Sequence, residues 1–549
     1  MDQCGRAEVG PVLVAKRVPN GLAGPVSVGS TIPLTPPTLF PKTSSVQGYN
    51  KRSFLLSLFV AIFLACLLLF PRDDGLRHVG LAFLNAGSAP GSHLSLPKSW
   101  GEVYPFSYFE VLKDYDPWFG YDLTLTILAS GLRHLPISPL LGQFLLIKTL
   151  SLVFSFLFFY LVFRRSGILD NIKDQDTFFI VYALLLLFTA MAFKRILCLR
   201  PFAFGTFFLL YAIGQRGILR GLLSSAVLAF FYPYLAWLYT VPVALVHFLK
   251  GDRRFALGTI SFTALFLYFQ PPSFWGFQLA IFRSDVMRGI IGPQIDEFAS
   301  SMGILFLVYL VGFFIVYPWF SREAKKLDVV NLLIILYLVP SIKHVRYLID
   351  LVLPLVFVSF GRQILMVLLA PYRELIARWK DTVARFREKR RLESAGAGRP
   401  RTRSGLKICL AVLYALVAIL VIQWNHMEFS SLKRTRAALS VIPTGCLVLT
   451  HFNLQYRTLF VRPDLRLIPS CELGFPTDRI RKEYLDFLNE GKVLPLAKKT
   501  GAQYFVENKR MYIDPENGCF LRLAGKSGDL RIWEIRPFRD ANPVPFDTI

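Results

Sequence analysis

Acidic residues are scarce in this sequence: 37 Asp and Glu stand against 62 Lys and Arg, a formal net charge of +25. In a soluble protein that imbalance would suggest nucleic acid. Here no aromatic-plus-basic RNA motif is present, and the Lys and Arg fall in short clusters between apolar runs, which is how charge sets orientation in a bilayer. No nucleic-acid partner is expected. Cysteine is also sparse, and none of the seven forms a CxxC pair or stands at zinc-site spacing from a histidine. Cys446 and Cys471 could pair if their region faces an oxidising compartment; the other reading is buried thiols. No internal repeat relates the two halves, which counts against a transporter built from matched broken helices. No signal peptide is expected either. Residues 1–50 are rich in Gly, Pro, Ser and Thr without apolar periodicity and read as a disordered cytoplasmic tail; the first apolar run begins only near Ser53.

What is abundant is apolar. Hydrophobic residues make up 54% of the chain, with 50 Phe, and the mean hydropathy is +0.46. Runs able to span, or half-span in pairs, lie at 52–70, 138–163, 176–193, 200–215, 219–233, 235–249, 255–270, 301–319, 328–342, 347–369 and 405–424. The expected fold is an α-helical polytopic membrane protein of about eleven spans. Lys51 and Arg52 before the first span, and Arg164 and Arg165 after the second, are expected inside. Alternation then puts the loop 71–136 outside, with the chain after Gln423. Residues 51–370 form the main transmembrane domain. The basic linker 371–404 repeats Ile376, Trp379, Val383 and Phe386 at helical spacing, so an amphipathic helix on the inner surface is expected. The last span, 405–424, leads to a small α/β domain at 425–549. There CLVLTHF, LRLIPS, AQYFVE and LRIWEI read as strands, and DRIRKEYLDFLNEG as a helix closed by Gly491.

Two basic clusters fall on the outer side, against the trend: Lys194, Arg195 and Arg200 in AFKRILCLRPF, and Lys343, His344 and Arg346 in PSIKHVRYLIDLVLP. A cation at bilayer depth costs on the order of 2.5–3.5 kcal/mol, so something anionic should compensate. Snorkelling to headgroups is the plain reading for a single Lys. Paired clusters holding Arg beside Pro-bounded helix ends suit a lipid-linked phosphate or diphosphate, because a guanidinium binds phosphate bidentately. Opposite charge comes from Asp73 and Asp74, directly after the first span. These are either loop carboxylates paired with Arg72 or Arg77, a general base for an acceptor hydroxyl, or a divalent-cation site. A second acidic pair, Asp114 and Asp116, sits with Tyr121 in LKDYDPWFGYD, where aromatic rings suit a sugar; a turn or an interfacial aromatic belt explains the triplet equally well.

Four segments, in order, resemble the GT-C superfamily of multi-spanning glycosyltransferases that use polyprenyl-phosphate sugars, including protein mannosyltransferases and bacterial aminoarabinose transferases. They are RDDGLRHVGLAF, YDPWFGYDLTLTILASGL, LRPFAFGTFFLLYAI and HVRYLIDLVLPLVF, together spanning roughly 52–369. The resemblance implies a GT-C-like fold with the C-terminal α/β domain on the outer face. It implies inverting transfer of a hexosyl or pentosyl group to a glycan or lipid acceptor of the cell envelope. By analogy Asp73, with Asp74 beside it, activates the acceptor. Arg200 and Arg346 bind the donor phosphate, helped by Arg195, Lys194, His344 and Lys343, while Asp114, Asp116 and Tyr121 face the sugar or acceptor. The chain departs from the protein mannosyltransferases in carrying Asp-Asp where those have Asp-Glu, and lacks the WWD motif of oligosaccharyltransferase. No cofactor is required by this scheme, though a divalent cation is compatible with it. The absence of an ER retention signal and the compact loops favour a bacterial inner membrane. The rivals are a polysaccharide polymerase or ligase using a lipid diphosphate, and a lipid or solute transporter.

Overall fold

The structure is a computed structural model that describes residues 51–71, 74–87, 100–112, 115–166, 196–283, 329–343, 347–359, 374–375, 377–379, 381–385, 402–450, 452–468, 477–508 and 520–536. The expected tail 1–50, the spans at 176–193 and 301–319, and Cys471 lie outside those residues.

The described chain is mostly helical. In order come α1 (Lys51–Leu68), α2 (Gly75–Asn85), α3 (Phe119–Arg133), α4 (Pro139–Ser166), α5 (Ala203–Ala212), α6 (Ile218–Phe231), α7 (Ala236–Leu249), α8 (Arg253–Tyr268), α9 (Pro272–Arg283) and α10 (Val329–Lys343). A π-helical turn at Leu348–Val352 follows, then α11 (Thr402–Leu439), α12 (Phe452–Val461), α13 (Arg481–Glu490) and α14 (Val493–Thr500). Among the described residues one helix, α4, is long and apolar enough to cross a membrane by length and composition; several shorter helices are apolar.

The distribution of side chains over α6 to α8 is the reverse of that in a soluble protein. On α6, Leu219, Leu223 and Val227 recur every four residues and are all exposed, while Gly221 and Ser225 are buried. Gly221 packs against α8 so closely that an added Cβ would lie 2.4 Å from the Phe255 carbonyl oxygen. Between α7 and α8, Thr263 donates to the Thr240 hydroxyl at 2.8 Å. Large apolar residues outside and small or hydroxylated ones between helices are what a lipid-facing bundle requires, since packing rather than water exclusion joins helices in hydrocarbon.

Within the basic linker the described residues are helical, and Leu375 and Trp379, one turn apart, are both exposed. Arg378 pairs there with Glu374 at 2.5 Å.

At the C-terminal end, five strands, β1 (Leu447–Thr450), β2 (Arg466–Leu467), β3 (Tyr504–Asn508), β4 (Leu521–Ser527) and β5 (Leu530–Ile535), form one sheet in the order β2-β1-β3-β5-β4. β1 runs parallel to β2 and β3; β5 is antiparallel to β3 and β4. Strand β1 ends at Thr450 and Phe452 already begins α12, so the run CLVLTHF divides between a strand and a helix. Helix α13 closes at Gly491, whose φ of 70° is the left-handed conformation that favours glycine. Its Tyr484 and Phe487 pack with Leu496, Phe505 and Leu449 under the sheet.

Tyr49–Ile549 hold together as one unit because the C-terminal elements pack onto the rest. Helix α12 lies directly on α2: a Cβ at Gly80 would come within 2.3 Å of the Leu459 carbonyl oxygen. A backbone bond from Thr477 N to Phe106 O, 2.8 Å, makes a second junction.

Candidate functional site

The acidic turn after α1 leads straight into α2. Asp74 occupies the N-cap position of that helix, where a negative charge meets the positive end of the helix dipole. Its side chain caps no amide. Instead Oδ1 forms an ion pair with Arg77 Nε one turn on, both side chains being almost fully buried. A buried pair is stable only when the cation finds further partners. Arg77 finds aromatic ones: its guanidinium carbon lies 5.0 Å from the ring centroids of Trp100 and Trp118, 5.8 Å from Tyr104 and 5.7 Å from Tyr456. Tyr456 comes from α12, so the C-terminal region completes this cage.

One residue further, His78 turns its Nδ1 to Asp122 Oδ1 at 2.6 Å. Its Nε2 faces Asp74 Oδ2 at 3.9 Å, too long for a hydrogen bond. The ring meets Trp100, Trp118 and Tyr121 edge to face at 5.0, 4.9 and 5.1 Å. Trp100 Nε1 donates to Asp122 Oδ2 at 2.9 Å. Asp116 Oδ1 accepts the Trp118 amide at 2.8 Å, an Asx turn that starts α3.

This cluster belongs to the segment 71–136, outside the expected spans, and burial governs its protonation. Burial, with Asp74 opposing, lowers the His78 pKa from 6.5 to about 3, so the imidazole is neutral. Burial likewise raises Asp122 from 3.8 to about 8, against the Trp100 hydrogen bond. Asp116 is pushed upward by burial and then by the charge of Asp122. Asp122 therefore carries the proton between itself and His78 near neutral pH.

The third motif reaches the same place. The Gly75 amide donates to the Cys198 carbonyl at 2.9 Å, and the Tyr121 hydroxyl to the Leu199 carbonyl at 2.8 Å. Leu199 is fully buried with φ of 52°, a conformation that leucine adopts only when its surroundings impose it. The next residue is the buried Arg200. The fourth motif adjoins the third, since Thr206 on α5 donates to the Asp350 carbonyl at 3.1 Å.

Of the site residues expected from sequence, Asp74, Asp116, Tyr121 and Arg200 are brought into this one neighbourhood. Lys343 ends α10, with only its backbone described. Asp73, Asp114, Lys194, Arg195, His344 and Arg346 lie outside the described residues. Sequence reasoning missed His78, Trp100, Asp122 and Tyr456. The spacing of Arg77 and His78, three and four residues after Asp74, is a helical signal that could have found the first; Trp100 and Tyr456 carry no such signal.

No family model matches this chain, and no curated protein does. Among solved structures it is similar to ArnT from Cupriavidus metallidurans bound to undecaprenyl phosphate, with 12% identity, 88% of this chain and 97% of that chain covered, and a TM-score of 0.41. The apo state of the same protein gives 14%, 88%, 98% and 0.42. The Archaeoglobus fulgidus oligosaccharyltransferase tethered to an acceptor peptide gives 11%, 84%, 69% and 0.41. Both proteins are GT-C superfamily members.

Proposed function

We propose that the chain is a GT-C-type membrane glycosyltransferase that transfers a sugar from a polyprenyl phosphate to a glycan or lipid acceptor at the non-cytoplasmic face of a bacterial inner membrane. The observation that carries this reading is the meeting of separate motifs. The acidic turn at Asp74, the aromatic-acidic segment at Asp116–Asp122 and the Arg200 segment, far apart in sequence, are bonded together through Gly75–Cys198 and Tyr121–Leu199. A transferase of this kind needs a carboxylate for the acceptor and a cation for the departing phosphate, side by side.

The roles then divide. Asp74 is committed to Arg77 and anchors the turn, leaving its neighbour Asp73 as the base. The Asp73 carboxylate takes the acceptor hydroxyl proton while the acceptor oxygen bonds to the anomeric carbon from the face opposite the phosphate. The bond between that carbon and the phosphate oxygen breaks, and polyprenyl phosphate leaves with the electron pair. Arg200, with Arg346 from the fourth motif, stabilises its growing negative charge. Asp114, Asp116 and Tyr121 border the sugar and acceptor side. The scheme needs no metal, so turnover is expected to persist in EDTA.

The test is release of polyprenyl phosphate by detergent-purified protein across a panel of polyprenyl-phosphate sugars. Acceptor-dependent release by wild type, lost in Asp73→Asn and in Arg200→Ala with folding retained, is the expected result. Consumption of a lipid diphosphate donor instead would replace this reading with a polymerase or ligase.

A further inference from the structure

The long helix α4 carries one buried cation, Lys148. Its Nζ lies 3.1, 2.9 and 2.7 Å from the carbonyl oxygens of Cys66, Leu67 and Leu69, at the end of α1. Asn425 of α11 adds a second donor, 2.8 Å from the Leu67 oxygen and 2.8 Å from Val421 O of its own helix. The Phe70 and Phe144 rings stack at 5.5 Å, and each lies 5.6 Å from the ammonium.

The final carbonyls of a helix have no partner inside it, and in hydrocarbon they must find one. An ammonium offers three donors, and three carbonyls surround this one. Its positive charge also suits the negative end of the α1 dipole. An uncharged asparagine or glycine cap would serve a helix end without burying a charge. A cation kept at that depth marks a place where geometry matters.

Directly after the gripped end the chain runs through Phe70 and Pro71 toward the acidic pair. On the far side Gly75 is bonded to Cys198 and Asp74 to Arg77. The link between α1 and α2 is thus anchored at both ends, by Lys148 and Asn425 below and by the Arg200 segment above.

We propose that Lys148 and Asn425 are positioning residues of the transferase: by holding the carbonyl end of α1 they fix one end of the link whose other end is fixed at Asp74 and Gly75, and so govern the rate of the transfer step. The proposal rests on the reading of Asp73 as the base. It draws α11 into the site, although no residue of α11 belongs to any of the four motifs.

The experiment uses the full chain in detergent and the donor that wild type consumes, and compares Lys148→Met, Lys148→Arg, Asn425→Leu and Asp73→Asn. Misplacing a reacting group by about 1 Å costs roughly 100-fold in rate. Lys148→Met is therefore expected to lower kcat about 100-fold with the donor KM within about twofold, because the donor phosphate is held elsewhere. Lys148→Arg, which keeps the charge, should recover most of that loss, and Asn425→Leu should lower kcat about tenfold. Unchanged kcat in Lys148→Met while Asp73→Asn is inactive overturns this proposal alone. Full activity of Asp73→Asn overturns the base reading instead. If Lys148→Met does not fold, Asn425→Leu and Lys148→Arg decide: loss of kcat at constant KM in Asn425→Leu supports the clamp, and wild-type kcat in both overturns it.

Discussion

The amide of Gly75 donates to the carbonyl oxygen of Cys198 at 2.9 Å, and through this bond the turn that carries the acidic pair is fixed to the segment that carries Arg200. The approach is close enough that only glycine fits: an added Cβ would lie 2.5 Å from Leu199 Cβ and 2.9 Å from Cys198 O.

Gly75→Ala should therefore force the two segments apart. Overpacking of this kind costs about 1–3 kcal/mol, and transferase activity should fall at least about tenfold because both poles of the site move. Thermal unfolding in detergent and polyprenyl-phosphate release measure the two effects. A variant with wild-type melting and turnover would show that the segments do not touch as described.

Replacing Arg77 with Met leaves Asp74 buried without its cation. Breaking one side of a buried pair costs about 3–5 kcal/mol. The double variant Arg77→Met with Asp74→Asn should regain part of that stability, since the uncompensated charge is gone. A double variant no more stable than the single one would argue against the pair.

The pH response arises from Asp122 and His78. Relative to the unfolded chain, the folded one keeps a proton on Asp122 up to about 8 instead of 3.8, and refuses one on His78 down to about 3 instead of 6.5. Between 3.8 and 6.5 the two contributions oppose. From 6.5 to about 8 His78 no longer contributes, and Asp122, joined by Asp116 whose carboxyl burial also raises, governs: the native state binds the extra proton, so stability falls as pH rises. The melting temperature should decline across that window, and Asp122→Asn should flatten the decline. An unchanged slope in Asp122→Asn would assign it to other groups, Asp116 first among them.

A Cβ at Gly80 would meet the Leu459 carbonyl at 2.3 Å. Gly80→Ala should loosen α12 from α2 and withdraw Tyr456 from Arg77. Limited proteolysis should then cut the C-terminal region faster than in wild type. Equal cleavage rates would mean that the two helices do not depend on each other.

Much of this arrangement was legible in the sequence, and the exceptions have physical causes. Helix ends were readable where apolar runs met charges, as at Lys51 and Arg164, and Gly491 marked the end of α13 through its left-handed turn. LRIWEI forms β5 throughout. Strand β4 escaped notice because Gly525 and a register shift interrupt its alternation. The Arg77 pairing was one of three readings open for Asp74. Trp100 and Tyr456 join that pair only through tertiary packing, so no local pattern announces them. Lys148 sits in an otherwise apolar run whose hydropathy it hardly alters, and its carbonyl partners belong to every residue type alike.

The cage around Arg77 has an order of assembly. Asp74, Arg77 and His78 leave the ribosome early, whereas Tyr456 and the helix that seats against Gly80 are made only after α11. Until translation is nearly finished, a buried ion pair waits with one wall missing. A nascent chain stalled before α12 should therefore hold the acidic turn open to solvent, and maturation of the site becomes the closing event of the protein's biogenesis.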